Sequence, residues 1–137
     1  MIETSGFREF DHTADWGIKV WAIDLVGLLE TAAKGMFSLL EIQRSAENHS
    51  EFTFILDIDQ DPEDLLVDFL SELLFLSEKH RVAFDSFEFK QAPGRFNVVV
   101  KGYPIASQKK EIKAVTYYNL AVAETERGFE TEIVFDV

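Results

Sequence analysis

The chain contains no cysteine at all, which removes disulfides, thiolate-ligated zinc, iron–sulfur clusters and thiol nucleophiles in one step. Proline is scarce, at 3 residues, and glycine is modest, at 7, so Pro/Gly-rich linkers, collagen-like repeats and low-complexity tracts are excluded. Gly27, Gly35, Gly94 and Gly128 fall into neither a G-x-G-x-x-G nor a P-loop pattern, and no Gly-x-Ser-x-Gly elbow occurs. Positive charge is also in short supply. Lys and Arg number 13 against 25 Asp and Glu, a net charge of −12. Such a surface repels phosphate, so direct stable nucleic-acid binding is not expected. No apolar run approaches the roughly 20 residues of a membrane span. Met1 to Phe10 carries Glu3, Arg8 and Glu9 in place of an apolar targeting segment, so no membrane is expected and the cytoplasm is the expected compartment.

What is present is a chain of 137 residues with 47% hydrophobic content and 13 phenylalanines, enough for one well-filled core and a single domain over 1–137. Trp16, Ile18, Val20 and Ala22 alternate with Gly17, Lys19 and Trp21, which predicts a strand with one buried face. The period changes after Asp24, a helix cap. From there Leu25, Leu28, Leu29, Ala32, Ala33, Met36, Phe37 and Leu40 recur at helical steps through about Glu41. A polar loop is expected over Gln43–His49 and a second strand over Ser50–Ile58, with Phe52, Phe54, Leu56 and Ile58 on one face.

Asp61-Pro62-Glu63-Asp64 supplies a cap, a first-turn proline and two acids, the signature of a helix start. The stripe from Leu65 to Leu76 carries that helix to Lys79 and His80. Its acids Glu63, Asp64, Asp68 and Glu72 read as a solvated face, and Phe75, like Met36, Phe37 and Phe69, reads as core. Beyond it two hairpins are expected, Val82–Gln91 with Arg95–Ile105 and Lys113–Glu124 with Phe129–Val137. The order predicts an α+β domain, with two helices packed on a mixed β-sheet and strands clustered in the C-terminal half.

Three constellations can carry chemistry. In Phe10-Asp11-His12-Thr13-Ala14-Asp15-Trp16-Gly17, Asp11 and Asp15 are oxygen ligands for a hard cation, or Asp11, His12 and Asp15 form an acid–base set. The same residues equally suit a plain turn bonded to its own backbone. Lys109-Lys110-Glu111-Ile112-Lys113 gathers positive charge as a docking patch or as edge-strand lysines that discourage aggregation. Phe135-Asp136-Val137 sets two anions close together at the last residue of the sequence, where an inert strand end is the plainer reading. His49 and His80 suit a loop and a helix end.

Taken together, Asp11-His12-Thr13-Ala14-Asp15-Trp16-Gly17, Asp64-Leu65-Leu66 with Phe69-Leu70-Ser71-Glu72-Leu73-Leu74, Lys113-Ala114-Val115-Thr116-Tyr117 and the closing Phe135-Asp136-Val137 resemble the archease family from about Phe7 to Val137. The family usually has a histidine after the Thr-Tyr pair, where this chain has Tyr118. The resemblance implies a non-enzymatic, metal-binding accessory protein. Its expected partner is an RtcB-type RNA ligase of tRNA splicing and RNA repair, whose guanylylation and multiple turnover it promotes. The implied cofactor is a divalent cation (calcium, magnesium or manganese) held by Asp15, Asp136 and Val137. Lys113 is the implied basic residue of the functional surface, with His12 and Asp11 beside it. Two other readings remain at this point: an independent metal-dependent hydrolase or acid–base enzyme using Asp11, His12 and Asp15, and a chaperone of tRNA-modifying enzymes.

Overall fold

In the computed structural model, residues 4–12 and 15–137 are described, without the side chains of Asp11, His12 and Asp15. The chain runs β1 (Gly6–His12), β2 (Asp15–Ala22), α1 (Leu25–Leu39), β3 (Ile42–Arg44), β4 (Ser50–Asp57), α2 (Pro62–His80), β5 (Val82–Ala92), β6 (Arg95–Gln108), β7 (Ala114–Val115), β8 (Ala123–Thr125) and β9 (Gly128–Asp136). The α+β class and the two-helix, strand-rich layout are those expected. The strands divide into two sheets, and every described pair is antiparallel. One sheet has the order β1-β2-β9-β7 with β8 also on β9. In the other, β6 takes β3 and β4 along one edge and β5 along the other.

Both helices bridge the sheets. Helix α1 contacts β1, β2 and β9 of the first sheet and β5 of the second, while α2 contacts β4 and β5 of the second and β7 of the first. The capping acid Asp24 accepts the Gly27 N–H at 2.6 Å and so satisfies one of the free donors of α1. The buried faces of the two helices, Leu28, Leu29, Ala32 and Met36 with Leu66, Phe69, Leu70 and Leu73, join Ile18, Val20, Val98, Val100, Ile133 and Phe135 in one core. Phe69 sits at its aromatic centre, with ring centroids 5.3 Å from Phe89, 6.1 Å from Phe87 and 6.2 Å from Phe54.

Several local expectations change. Phe10 to His12 does not precede the first strand but belongs to one, because β1 pairs along β2 from Gly6↔Trp21 to His12↔Asp15. The polar stretch after α1 contributes β3, held by Ile42↔Gln108 and Gln43↔Ser107. Asp61 stands at the cap of α2 but makes no side-chain cap bond; Pro62 and the first-turn acids mark this start instead. Phe75 is 54% exposed, with Lys79 Nζ 5.6 Å from its ring centroid, because it lies outside the stripe facing the sheets. The expected strand Lys113–Glu124 is reduced to β7 and β8, with an irregular loop over 116–122 between them. Among the described residues no helix is long and apolar enough to cross a membrane.

Candidate functional site

The first sheet gathers the candidate residues at one end. Its ladder between β2 and β9 closes with Trp16↔Phe135. Asp15 precedes Trp16 and Asp136 follows Phe135, so the two acidic residues come together one step beyond that pair. On the far side of β2, Asp15 is paired with His12 of β1. On the far side of β9, Asp136 is paired with Ala114 of β7, and the Lys113 N–H donates to the Asp136 carbonyl at 2.7 Å. Four adjacent strands, β1, β2, β9 and β7, thus bring His12, Asp15, Asp136 and Lys113 to the same end of one sheet, although these residues span nearly the whole sequence. Asp11 stands one position earlier on β1, opposite Trp16. Thr13 and Ala14 of the motif lie outside the described residues.

Asp136 and Lys113 are both exposed, and Val137 is half-buried against the core. The local sequence explains this. Ile133 and Phe135 point into the core with no exposure, so the next residue in the alternation, Asp136, turns outward. Among the described residues no group of three His, Asp or Glu side chains is close enough to hold a metal. The donor types that the residues of this end carry are carboxylate and carbonyl oxygens and the His12 imidazole, with no sulfur, and the two aspartates suit a hard divalent cation.

A second layer of residues, not singled out from the sequence, fixes the Lys113 side. Thr116 clamps β7 to β9 twice, its N–H and its hydroxyl both donating to the Val134 carbonyl, at 3.1 and 2.7 Å. The acids of α2 are a correction to the solvated-face expectation. Glu63 accepts the Val122 N–H at 2.8 Å, and Asp64 accepts the Tyr117 hydroxyl at 2.9 Å. These two carboxylates tie loop 116–122 to the first turn of α2. The hydrogen bond to Asp64, then burial and the charges of Asp64 and Asp68, hold the Tyr117 proton above its ordinary range. The only sequence signal for this layer is that Asp64 and Thr116-Tyr117 fall within motifs quoted above.

The basic segment before β7 is anchored as well. Lys109 and Lys110 donate their N–H groups to the carbonyls of Glu41 and Leu40 at the end of α1. Lys110 Nζ lies 3.2 Å from Glu41 Oε2 and 4.6 Å from the Trp16 ring centroid. Lys110 is thereby engaged, and Lys113 is the cation of this segment that stands beside Asp136. His49 and His80 belong elsewhere. His49 Nε2 is 3.5 Å from Asp85, and the His80 ring lies 4.6 Å from that of Phe52.

Comparison with known proteins covers nearly the whole of this architecture. The model of the archease protein family matches residues 7–137. "Protein archease" of Methanosarcina mazei is 31% identical over 140 residues, covering 96% of this chain and 95% of its own. That of Methanopyrus kandleri is 31% identical over 139 residues, covering 96% and 99%. Among solved structures, the solution structure of Methanobacterium thermoautotrophicum protein 1598 superposes with a TM-score of 0.71 at 22% identity, covering 96% of this chain and 99% of that one. The crystal structure of a Thermotoga maritima archease, described as a possible chaperone, gives 0.69 at 23% identity, covering 93% and 94%.

Proposed function

The chain belongs to the archease family, and from that premise we propose that it is a cytoplasmic, non-enzymatic accessory protein that binds a divalent cation and activates an RtcB-type RNA ligase. The observation that carries the reading is the meeting of Asp15, Asp136 and Lys113 at one end of the β2-β9-β7 ladder. Asp15 and Asp136 supply the anionic oxygens, with the main-chain oxygens of Val137 next to them. When bound, the cation supplies charge neutralisation and polarisation of phosphate oxygens. Lys113 has its own task. An ammonium group cannot ligate a cation, but it can meet a phosphate or a carboxylate of the partner's active site.

The surrounding residues hold this end in shape. Thr116 fixes β7 against β9, and Glu63 and Asp64 keep the following loop against α2. The acidic surface suits a partner whose active site is lined with cations for RNA, since opposite potentials speed the encounter. An independent hydrolase would draw on Asp11, His12 and Asp15 of β1 and β2 alone, and it leaves Asp136 and Lys113, which reach the same sheet end, without a task. The test is a multiple-turnover RNA ligation assay with the cognate ligase, with the protein present below stoichiometric amounts. Restored turnover is expected, with no GTP consumption or RNA joining by the protein alone; unchanged turnover refutes the reading.

A further inference from the structure

The solvent side of the first sheet carries a second feature at its other end, away from Asp136. A cavity of about 580 Å³ opens there, lined among others by Arg8, Lys19, Trp21, Arg127, Phe129 and Glu130. Three cations in one cavity stand out on a chain whose net charge is −12. Their arrangement is stranger still. Arg8 and Lys19 are direct cross-strand partners in the β1–β2 register, and like charges placed directly opposite one another destabilise a sheet. Lys19 has Glu132, and Trp21 has Glu130, as partners on β9. Yet among the described residues no carboxylate forms an ion pair with Arg8, Lys19 or Arg127. An anion seated between them would relieve that repulsion.

The next outward position along β2 is Trp21, about 6.8 Å from Lys19 by the strand rise. Its partner across the β1–β2 pair is Gly6, which has no side chain to cover the indole. Among the described residues no ring and no cation stacks on Trp21. Ile23, 62% exposed, extends the apolar floor. The cavity therefore offers a cationic seat and, one short step away, a planar apolar seat. Its size falls within the roughly 300–1,000 Å³ of ordinary small-ligand sites.

We propose that this cavity binds a single nucleoside phosphate, its phosphate groups held by Arg8, Lys19 and Arg127 and its base laid against Trp21. An acidic peptide would satisfy the cations but leave the indole without a planar partner. A nucleic-acid strand would have to run its flanking phosphates across the acidic remainder of the surface. One nucleotide meets only the local field. The site does not use Asp15, Asp136 or Lys113, so it stands or falls apart from the ligase reading.

The test is calorimetric titration, in buffer free of divalent cations, of ADP, inorganic pyrophosphate, adenosine, a short single-stranded oligonucleotide and polyglutamate into the full chain, with tryptophan emission followed in parallel. ADP should saturate, and it should bind more tightly than pyrophosphate or adenosine. Exchanging both exposed arginines, Arg8→Gln with Arg127→Gln, should weaken ADP by about tenfold or more, as expected for loss of charge-assisted hydrogen bonds. Trp21→Phe should remove the ADP-dependent change in emission and bring ADP towards pyrophosphate, while leaving pyrophosphate affinity as it was. Unaltered melting of each variant confirms the fold. The proposal is overturned by non-saturating ADP, by equal affinity for ADP and pyrophosphate, by indifference to the arginine exchange, or by tighter binding of the oligonucleotide or polyglutamate than of ADP.

Discussion

The tie between α2 and loop 116–122 can be tested by removing either of its ends. In Asp64→Ala the Tyr117 hydroxyl loses its acceptor at 2.9 Å. A hydrogen bond to a charged group contributes about 1.5–3 kcal/mol when shielded from water. Tyr117 is 54% exposed, so screening reduces this to about 0.5–1 kcal/mol. Asp64 also lies in the first turn of α2, where a negative charge adds about 0.3–1 kcal/mol through the helix dipole. The loss is therefore about 1–2 kcal/mol. With an unfolding entropy of about 2.1 cal/mol/K per residue, a chain of this length should melt about 3–7 °C lower. The pH dependence has a definite sign. The folded pKa of Tyr117 is raised above its ordinary 10.0, so its stabilisation is full below that ordinary value and is lost as pH rises through the raised one. Thermal melts of the wild type, Asp64→Ala, Tyr117→Phe and the double variant from neutral pH to pH 11 or so check both points. The two single losses should not add, because both break one bond. Full additivity, or an alkaline loss of stability equal in Tyr117→Phe and wild type, would refute the tie.

Asp15→Asn and Asp136→Asn should each weaken calcium, magnesium or manganese binding by tenfold or more in calorimetry, on the order of one lost charged ligand, and abolish ligase stimulation. Neither should lower the melting temperature, since carboxylates brought together repel without a cation; a clear drop would mark them as structural turn residues. Lys113→Ala should reduce stimulation while leaving metal affinity unchanged, because its side chain is exposed and its backbone bond to Asp136 survives. Equal stimulation would return Lys113 to a solvated edge lysine. Gly102→Ala should destabilise the second sheet by about 1–3 kcal/mol, read as a lower denaturation midpoint, because a Cβ there runs into the Ala83 carbonyl of the neighbouring strand. A neutral result would mean that β5 and β6 can separate at the irregularity between Phe84 and Ser86.

Much of the fold was legible because its signals are local. The two helices announce themselves by apolar steps of three and four and by the acids and proline at their starts, and the observed spans Leu25–Leu39 and Pro62–His80 follow the expected ones closely. Strands β2, β4, β5, β6 and β9 were legible by alternation or by a Pro93-Gly94 turn. Strand β1 was not, since Gly6–His12 mixes Phe7 and Phe10 with Arg8, Glu9, Asp11 and His12 and has no clean period; its extended state comes from hydrogen bonding to β2. Loop 116–122 failed in the opposite direction. Its Thr116, Tyr117 and Val122 suggest a strand, but Asp64 and Glu63, more than 50 residues earlier, take up Tyr117 and the Val122 N–H instead.

The site divides along the same line. The sequence by itself determined the chemical inventory, which is oxygen donors without sulfur, one basic segment, and a motif order that resembles a family. Residue types and spacing are written in the chain, and hard-cation ligation or phosphate contact depends on those types. Only the tertiary structure decided that the two ends of the chain meet. Asp15 and Asp136 lie over a hundred residues apart in sequence, and it is the antiparallel register of β2 on β9, fixed by Ile18, Val20, Ile133 and Phe135 sharing one buried face, that brings them to one sheet end. A slip of one residue would turn that apolar set outward, so burial of the core holds the register, and the register places the acids.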